Sequence, residues 1–248
     1  MKEWYQMNEE EVLKMMDADK NGLSSERAEE LLKMNGENVL QESKKKSALR
    51  VFAEQFADLL VIILIIAAII SMVSGNVEST IVIFAVITMN AILGTVQHEK
   101  AEKSLASLKT LSAPTAKVLR GGVKGEIPSA QIVKGDILLL EAGDLVTADG
   151  RILESYSLQV NESSLTGEST NVEKKAVVLE GEQALGDRIN MVYSGSLVTG
   201  GRAVVLVTAT GMETEIGKIA TLMNATKEKK TPLQVSLDKF GSQLAIVI

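Results

Sequence analysis

The sequence predicts a multidomain α and β chain: a small helical N-terminal region, a transmembrane helical hairpin, and an all-β, jelly-roll-like domain with flanking helices. Three observations carry that prediction. Two apolar runs of membrane length, residues 56–73 and 77–96, are separated only by Ser74-Gly75-Asn76. Residues 115–210 break into short apolar stretches punctuated by Gly and Asp, as a compact β-domain does. The first 48 residues carry helix start and stop signals.

Hydrophobic residues make up 46% of the 248-residue chain against 23% charged, which excludes a disordered tail and leaves apolar material beyond an ordinary core. A net charge of -6 argues against nucleic acid, which asks for a basic face. With no cysteine there is no disulfide framework and no thiolate metal site. The single histidine, His98, leaves no metal cluster or triad to build, and beside Glu99 and Lys100 it belongs on a solvated helical extension.

Residues 1–48 are expected to hold two helices. Asn8 with Glu11 three residues on makes a capping pattern ahead of an apolar stripe of Val12, Met15 and Met16. A second helix starts after Ser24, turns Ala28, Leu31 and Leu32 inward, and ends at Gly36. Between them Asp17-Ala18-Asp19-Lys20-Asn21-Gly22 copies the opening of a calcium-binding loop. The twelfth position of that loop needs a bidentate carboxylate and is Ala28 here, so a helix–turn–helix connection is the better reading.

The hairpin follows from length and charge. Residues 56–73 carry only Asp58 and residues 77–96 only Glu78, and at ~1.5 Å per residue each run approaches the ~30 Å bilayer core. Lys44, Lys45, Lys46 and Arg50 precede the first run, Lys100, Lys103 and Lys109 follow the second, and no Lys or Arg lies between. The positive-inside rule makes this a multi-pass protein of the cell membrane with residues 1–50 and 99–240 cytoplasmic. Asp58, near a helix end, reaches headgroup water, and Asn90 is expected to bond between helices. Residues 99 to about 110 extend the second helix as a polar stalk. A third apolar run opens at residues 244–248 and is too short to span. The chain is therefore expected to stop at the start of a third transmembrane helix. The expected division is 1–48 helical region, 49–98 transmembrane helices 1 and 2, 99–240 stalk and β-domain, and 241–248 the start of that third helix.

Within the β-domain, residues 116–120 and 123–127 form a tight hairpin about Gly121-Gly122. Further strands are expected at 136–140, 151–154, 176–179, 191–198 and 202–209, the last two joined by a turn at Gly200-Gly201. Residues 214–225 read as a helix. The stretch Gly211 to Ile219 looks faintly like a phosphate loop, but it has one residue too many between its glycines, and Ile219 replaces the Ser or Thr that would ligate Mg²⁺.

The candidate site is Asn161-Glu162-Ser163-Ser164-Leu165-Thr166-Gly167-Glu168-Ser169. It puts one carboxylate, Glu168, on a glycine-permitted turn between hydroxyls, where it can orient and deprotonate water if something else holds the electrophile.

Those nine residues resemble the actuator-domain signature of P-type ion-pumping ATPases. Gly22-Leu23-Ser24-Ser25, Gly36-Glu37-Asn38-Val39-Leu40, Asn90-Ala91-Ile92-Leu93-Gly94 and Ala101-Glu102-Lys103-Ser104-Leu105 resemble the N-terminal third of the bacterial calcium-pump branch. So do Gly135-Asp136, Ala148-Asp149-Gly150-Arg151 and Thr214 to Ala220, in the same order. The resemblance implies an ATP-driven cation pump, with calcium as the cation; the residues themselves leave sodium, potassium, proton and magnesium open. It implies that the loop dephosphorylates an aspartyl-phosphate carried on another domain and couples that step to movement of the ion gate. Glu168 then positions the attacking water, Thr166 and Gly167 shape the loop, and Ser169 supports it by hydrogen bonding. ATP and Mg²⁺ are implied for the complete pump, outside this chain. The implied partners are the lipid bilayer, the phosphorylation and nucleotide domains, and the transported cation. No phosphorylation motif occurs in these residues, so the chain alone is expected to be inactive. A non-catalytic membrane module or truncated pump remnant that binds a partner is the alternative. The family has proline where this chain has Lys134, Thr147 and Asn171, which predicts looser turns there.

Overall fold

The structure is a computed structural model. It describes residues 2–40, 47–111 and 114–225, and beyond them only Leu233, Val235, Ser236, Lys239, Phe240 and Gln243. The charged segment 227–230 and the apolar run 244–248 lie outside the described residues. In chain order the helices and strands are α1 (Glu9–Met15), α2 (Ser25–Asn35), α3 (Ala48–Gln55), α4 (Leu59–Val73), α5 (Val77–Leu111), β1 (Thr115–Arg120), β2 (Val123–Pro128), β3 (Ile137–Glu141), β4 (Asp149–Asn161), α6 (Ser163–Thr166), β5 (Asn171–Lys174), β6 (Met191–Val192), β7 (Leu197–Ala209) and α7 (Glu215–Ala225). They fall into two compact units, Met1–Gln41 with Ala113–Thr226, and Glu42–Ser112 with Lys227–Ile248.

In the first unit one antiparallel sheet runs β2-β1-β3-β7-β4-β5, with β6 also paired to β4. Period-two alternation sorts its side chains to two faces. Leu138, Leu140, Ile152, Val160, Val205 and Val207 join the larger, inner core. Ile137, Leu153 and Leu206 face the other way and are covered by Met7, Val12 and Leu13. The N-terminal helices thus close the sheet's outer face. The Asn8 side chain accepts from the Glu11 amide and the Glu11 carboxylate from the Asn8 amide, both at 2.9 Å, completing a capping box at α1. Ser24 caps α2 at 3.2 Å and Gly36 terminates it, with Ala28 buried as expected. Met15 departs from the expected stripe. It is half exposed, and Leu13 takes the inward place.

The calcium-like segment before α2 is a docking turn. The amides of Gly121 and Gly122, at the β1–β2 turn, donate to the carbonyls of Leu23 and Asn21 at 2.9 and 2.7 Å. Three strand expectations are corrected. Residues 176–179 form no strand; β5 lies earlier, because the Leu179 amide donates to Tyr5 O (3.0 Å) and Val177 O accepts from Arg151 and Asn190 (2.7 Å each), drawing that segment onto the N-terminal residues. The expected strand 191–198 is split into Met191–Val192 and the first two residues of β7, since Asp149 Oδ1 takes the Ser194 amide at 2.8 Å and turns the chain between them. Gly200-Gly201 is no hairpin but the middle of β7, which pairs with β4 through several register shifts.

In the second unit, α4 and α5 form an antiparallel helical hairpin around Ser74–Asn76. Ala68, Thr80, Ile87 and Ala91 are buried at its seam, where small residues let helices approach. Thr80 Oγ1 donates to Ala68 O at 3.3 Å and makes the interhelical bond expected of Asn90. The Asn90 side chain is exposed and makes no hydrogen bond among the described residues. The first run also differs from expectation. It does not form one helix from residue 56; Asp58 Oδ1 accepts the Leu60 amide at 2.8 Å and starts α4 anew, leaving α3 bent 64° from it. The second run and its stalk are one 35-residue helix, α5, with His98 exposed 3.7 Å from Glu102.

Candidate functional site

Glu168 stands on the connection between β4 and β5. Those strands pair as far as Asn161 opposite Asn171, whose side chains also meet at 3.4 Å, so residues 162–170 leave the sheet as a loop closed at its mouth. Asn161 Oδ1 accepts from the Ser163 amide (3.1 Å) and hydroxyl (2.6 Å), an Asx turn that starts α6. The Glu162 carbonyl accepts from the Thr166 amide at 3.0 Å and the Thr166 hydroxyl at 3.1 Å. That hydroxyl oxygen accepts in turn from the Glu168 amide at 3.2 Å. Between the two, Gly167 has φ +77°, a left-handed helix end that glycine adopts without strain. Ser164 Oγ donates to Gly195 O at 3.2 Å. Thr166 therefore grips the backbone on both sides of Gly167, and the loop presents Glu168 from a fixed frame.

The side chains of Glu168 and Ser169 are exposed and make no hydrogen bond among the described residues. Chemically, an exposed carboxylate of this kind can take a proton from water once another group holds an electrophile beside it.

Beneath the loop lie residues that sequence reading passed over. Lys174 Nζ and the Glu162 carboxylate meet at 2.6 Å with 0% and 1% of their side chains exposed. Among the described residues neither charged group forms a further hydrogen bond; the ammonium sits 5.7 Å from the Tyr193 ring centroid. Burial pushes the Glu162 carboxyl up and the Lys174 ammonium down, and the attraction between them opposes both shifts. A sequence signal did exist. Val172 and Lys174 alternate with outward residues in β5, which puts a lysine at an inward position. Leu165 of the loop shares a cluster with Tyr5, Met191 and Tyr193, so the N-terminal segment supports the same base.

Asp149 and Arg151, in a motif noted without a role, tie the surroundings together. Asp149 accepts from the Ser194 amide (2.8 Å) and the Glu215 amide at the start of α7 (2.7 Å). Burial pushes its carboxyl up to about 6 against the pull of those two amides. Arg151, lowered to about 10 by burial, donates to Met7 O (3.2 Å) and Val177 O (2.7 Å).

The phosphate-like stretch 211–219 does not fit a nucleotide. The Gly211 amide is held by Asn38 Oδ1 at 2.7 Å and the Gly217 amide by Thr214 Oγ1 at 3.0 Å, so donors that would cradle a phosphate are already engaged. Among the described residues no group of three His, Cys, Asp or Glu side chains is placed to hold a metal. Two of the positions that lack the expected proline make a side-chain polar contact, Lys134 with Glu213 and Asn171 with Asn161; Thr147 offers Asn38 only its backbone carbonyl (2.8 Å), which a proline also has.

Residues 110–224 match the family model of the P-type ATPase actuator domain, and residues 4–71 that of the cation transporter/ATPase N-terminus. The chain is 46% identical over 244 residues to calcium-transporting ATPase 1 of Lactococcus lactis, covering 98% of the chain and 28% of that protein. It is 44% identical over 246 residues to a calcium-transporting ATPase of Listeria monocytogenes (99% and 28%) and 40% identical over 246 residues to one of Bacillus subtilis (98% and 28%). The chain spans 28% of the length of these relatives.

Proposed function

We propose, from the premise that this chain belongs to the P-type cation-transporting ATPase family, that it is the N-terminal portion of an ATP-driven calcium pump whose Glu168 loop hydrolyses an aspartyl-phosphate. The observation that carries this is the loop itself: a carboxylate held out to solvent on a hydrogen-bonded frame within an actuator domain. Calcium comes from what the relatives are named for. Within the chain we read residues 1–48 as the cation-ATPase N-terminal region, 49–98 as the first two transmembrane helices, and 99–240 as the stalk and actuator domain.

In the complete pump, ATP and Mg²⁺ act on other domains, where an aspartate takes the phosphoryl group. Docking of the loop excludes bulk water and brings Glu168 to one water molecule. That water's oxygen bonds to phosphorus, the bond from phosphorus to the aspartate oxygen breaks, and the water's proton passes to Glu168. Thr166 keeps the Glu168 backbone in place, and Ser169 acquires its partner on docking. Because the loop alone holds no electrophile, hydrolysis waits for the movement that docks it. The same movement pulls on the chain leading into α5 and couples dephosphorylation to the ion gate. The exposed Ile, Leu, Val and Phe side chains of α4 and α5 face lipid.

Glu168→Gln in the complete pump tests the assignment. Phosphoenzyme should form normally and decay ~100-fold or more slowly, the size of a lost general base. Decay at the wild-type rate would remove Glu168 from the reaction.

A further inference from the structure

We propose that the buried Glu162–Lys174 ion pair is a positioning device that clasps the base of the loop and sets where Glu168 stands; this rests on the reading of Glu168 given above.

The pair joins the two ends of one connection. Glu162 directly follows β4 and precedes α6, and Lys174 closes β5 on the far side of the loop. Lys174 lies opposite Leu158 in the β4–β5 register, so its side chain reaches back along the sheet toward the loop to meet Glu162. From there a continuous path leads to the reacting carboxylate. Lys174 Nζ holds the Glu162 carboxylate at 2.6 Å, the Glu162 carbonyl holds the Thr166 hydroxyl at 3.1 Å, and that hydroxyl holds the Glu168 amide at 3.2 Å.

Stability is a weak reason for such a pair. Taking both charges out of water costs much of what their attraction returns, and an apolar pair of similar volume commonly serves a core as well. An ion pair adds a fixed contact between two named atoms. Here that contact is isolated: among the described residues neither charged group makes another hydrogen bond, and the neighbouring Tyr193 offers its ring face. Losing either partner leaves the other buried and uncompensated; whether it then neutralises or draws in water, the fixed contact that holds the Glu162 side chain is gone. Displacements of ~1 Å near a reacting group can cost ~100-fold in rate.

The experiment uses a complete pump with residues 1–248 as its N-terminal portion. E162Q, K174M and the double variant E162L/K174M are compared with wild type and E168Q. Three quantities are read: phosphoenzyme formation per folded pump, phosphoenzyme decay, and the thermal unfolding midpoint. E162Q and K174M should form phosphoenzyme to the wild-type level and lose it ~10-fold more slowly. The double variant leaves no unpaired charge and should regain the wild-type midpoint while decay stays slow. Decay that recovers together with the midpoint overturns the proposal and leaves the pair a purely structural role. Should the single variants not fold, the double variant decides alone. Wild-type decay in E168Q defeats the reading of Glu168; slow decay in E168Q with normal decay in the folded pair variants defeats only the clasp.

Discussion

Asp149 accepts two backbone amides, from Ser194 and from Glu215, and is 4% exposed. Those amides favour the carboxylate, as does nearby Lys218, yet burial, helped by the Glu215 charge, wins and pushes the carboxyl up to about 6. The sign follows from proton counting. An unfolded aspartate releases its proton near pH 4, whereas the folded one keeps it to about 6, so over that window the folded state binds more protons. Stability falls as pH rises from about 4 to about 6, by on the order of 3 kcal/mol, and the loss is complete above that range. Asp149→Asn should remove this slope. The check is urea unfolding at pH 4.5 and 7, followed by Trp4, the single tryptophan, which packs against the outer core. Glu162 shifts in the same direction, so the quantity to compare is wild type minus variant at each pH. Equal pH slopes in the two proteins would contradict the assignment. Residues of this kind set the limit of sequence reading. The glycine turn that carries Glu168 was legible because its bonding partners are local in the chain. The bonds of Asp149 to residues 45 and 66 positions away arise only when distant strands meet.

The helices were legible where their signals were local: the capping box at Asn8, the cap at Ser24 and the stop at Gly36 all stand where the sequence put them. The β1–β2 hairpin was legible for the same reason, since two residues separate its strands. β7 was not, because a glycine pair inside a strand carries the same local signature as a turn. What places Gly200-Gly201 within a strand is its partner β4, which itself bends at Ser157 with φ +51°. The two glycines differ sharply. Gly201 has φ +74°, and a Cβ there would lie 2.2 Å from the Ser157 carbonyl oxygen. At Gly200 the nearest atoms to an added Cβ belong to Gln159, at 3.8 Å. Gly201→Ala should therefore destabilise the β-domain by ~2 kcal/mol or more, and Gly200→Ala by no more than ~1 kcal/mol. Denaturation midpoints of the two variants side by side provide the check. Similar losses would mean that the β4–β7 bend does not depend on that close approach.

At the scale of the whole chain, hydropathy and charge foretold a hairpin with both flanks on one side, and α5 gives that arrangement a length. Its 35 residues extend ~52 Å, longer than the ~30 Å of a bilayer core, so a membrane-spanning placement would leave ~15 residues clear of it as a stalk. The side chains of Ile81, Phe84, Val86, Met89 and Leu93 lie exposed on that helix, which suits lipid and not water. These 248 residues contain no cysteine, so single substitutions within them, compared with the unsubstituted protein, make the arrangement testable. Ser74→Cys, in the short turn, should react with an impermeant maleimide on intact cells. Ser104→Cys, on the stalk, should react only after the membrane is opened. Val86→Cys should resist the reagent in both conditions, because a thiol in hydrocarbon forms little thiolate. These three outcomes together fix which side each flank occupies. If Ser74→Cys and Ser104→Cys became accessible from the same side, or Val86→Cys reacted as readily as either, the two-pass hairpin would have to be abandoned.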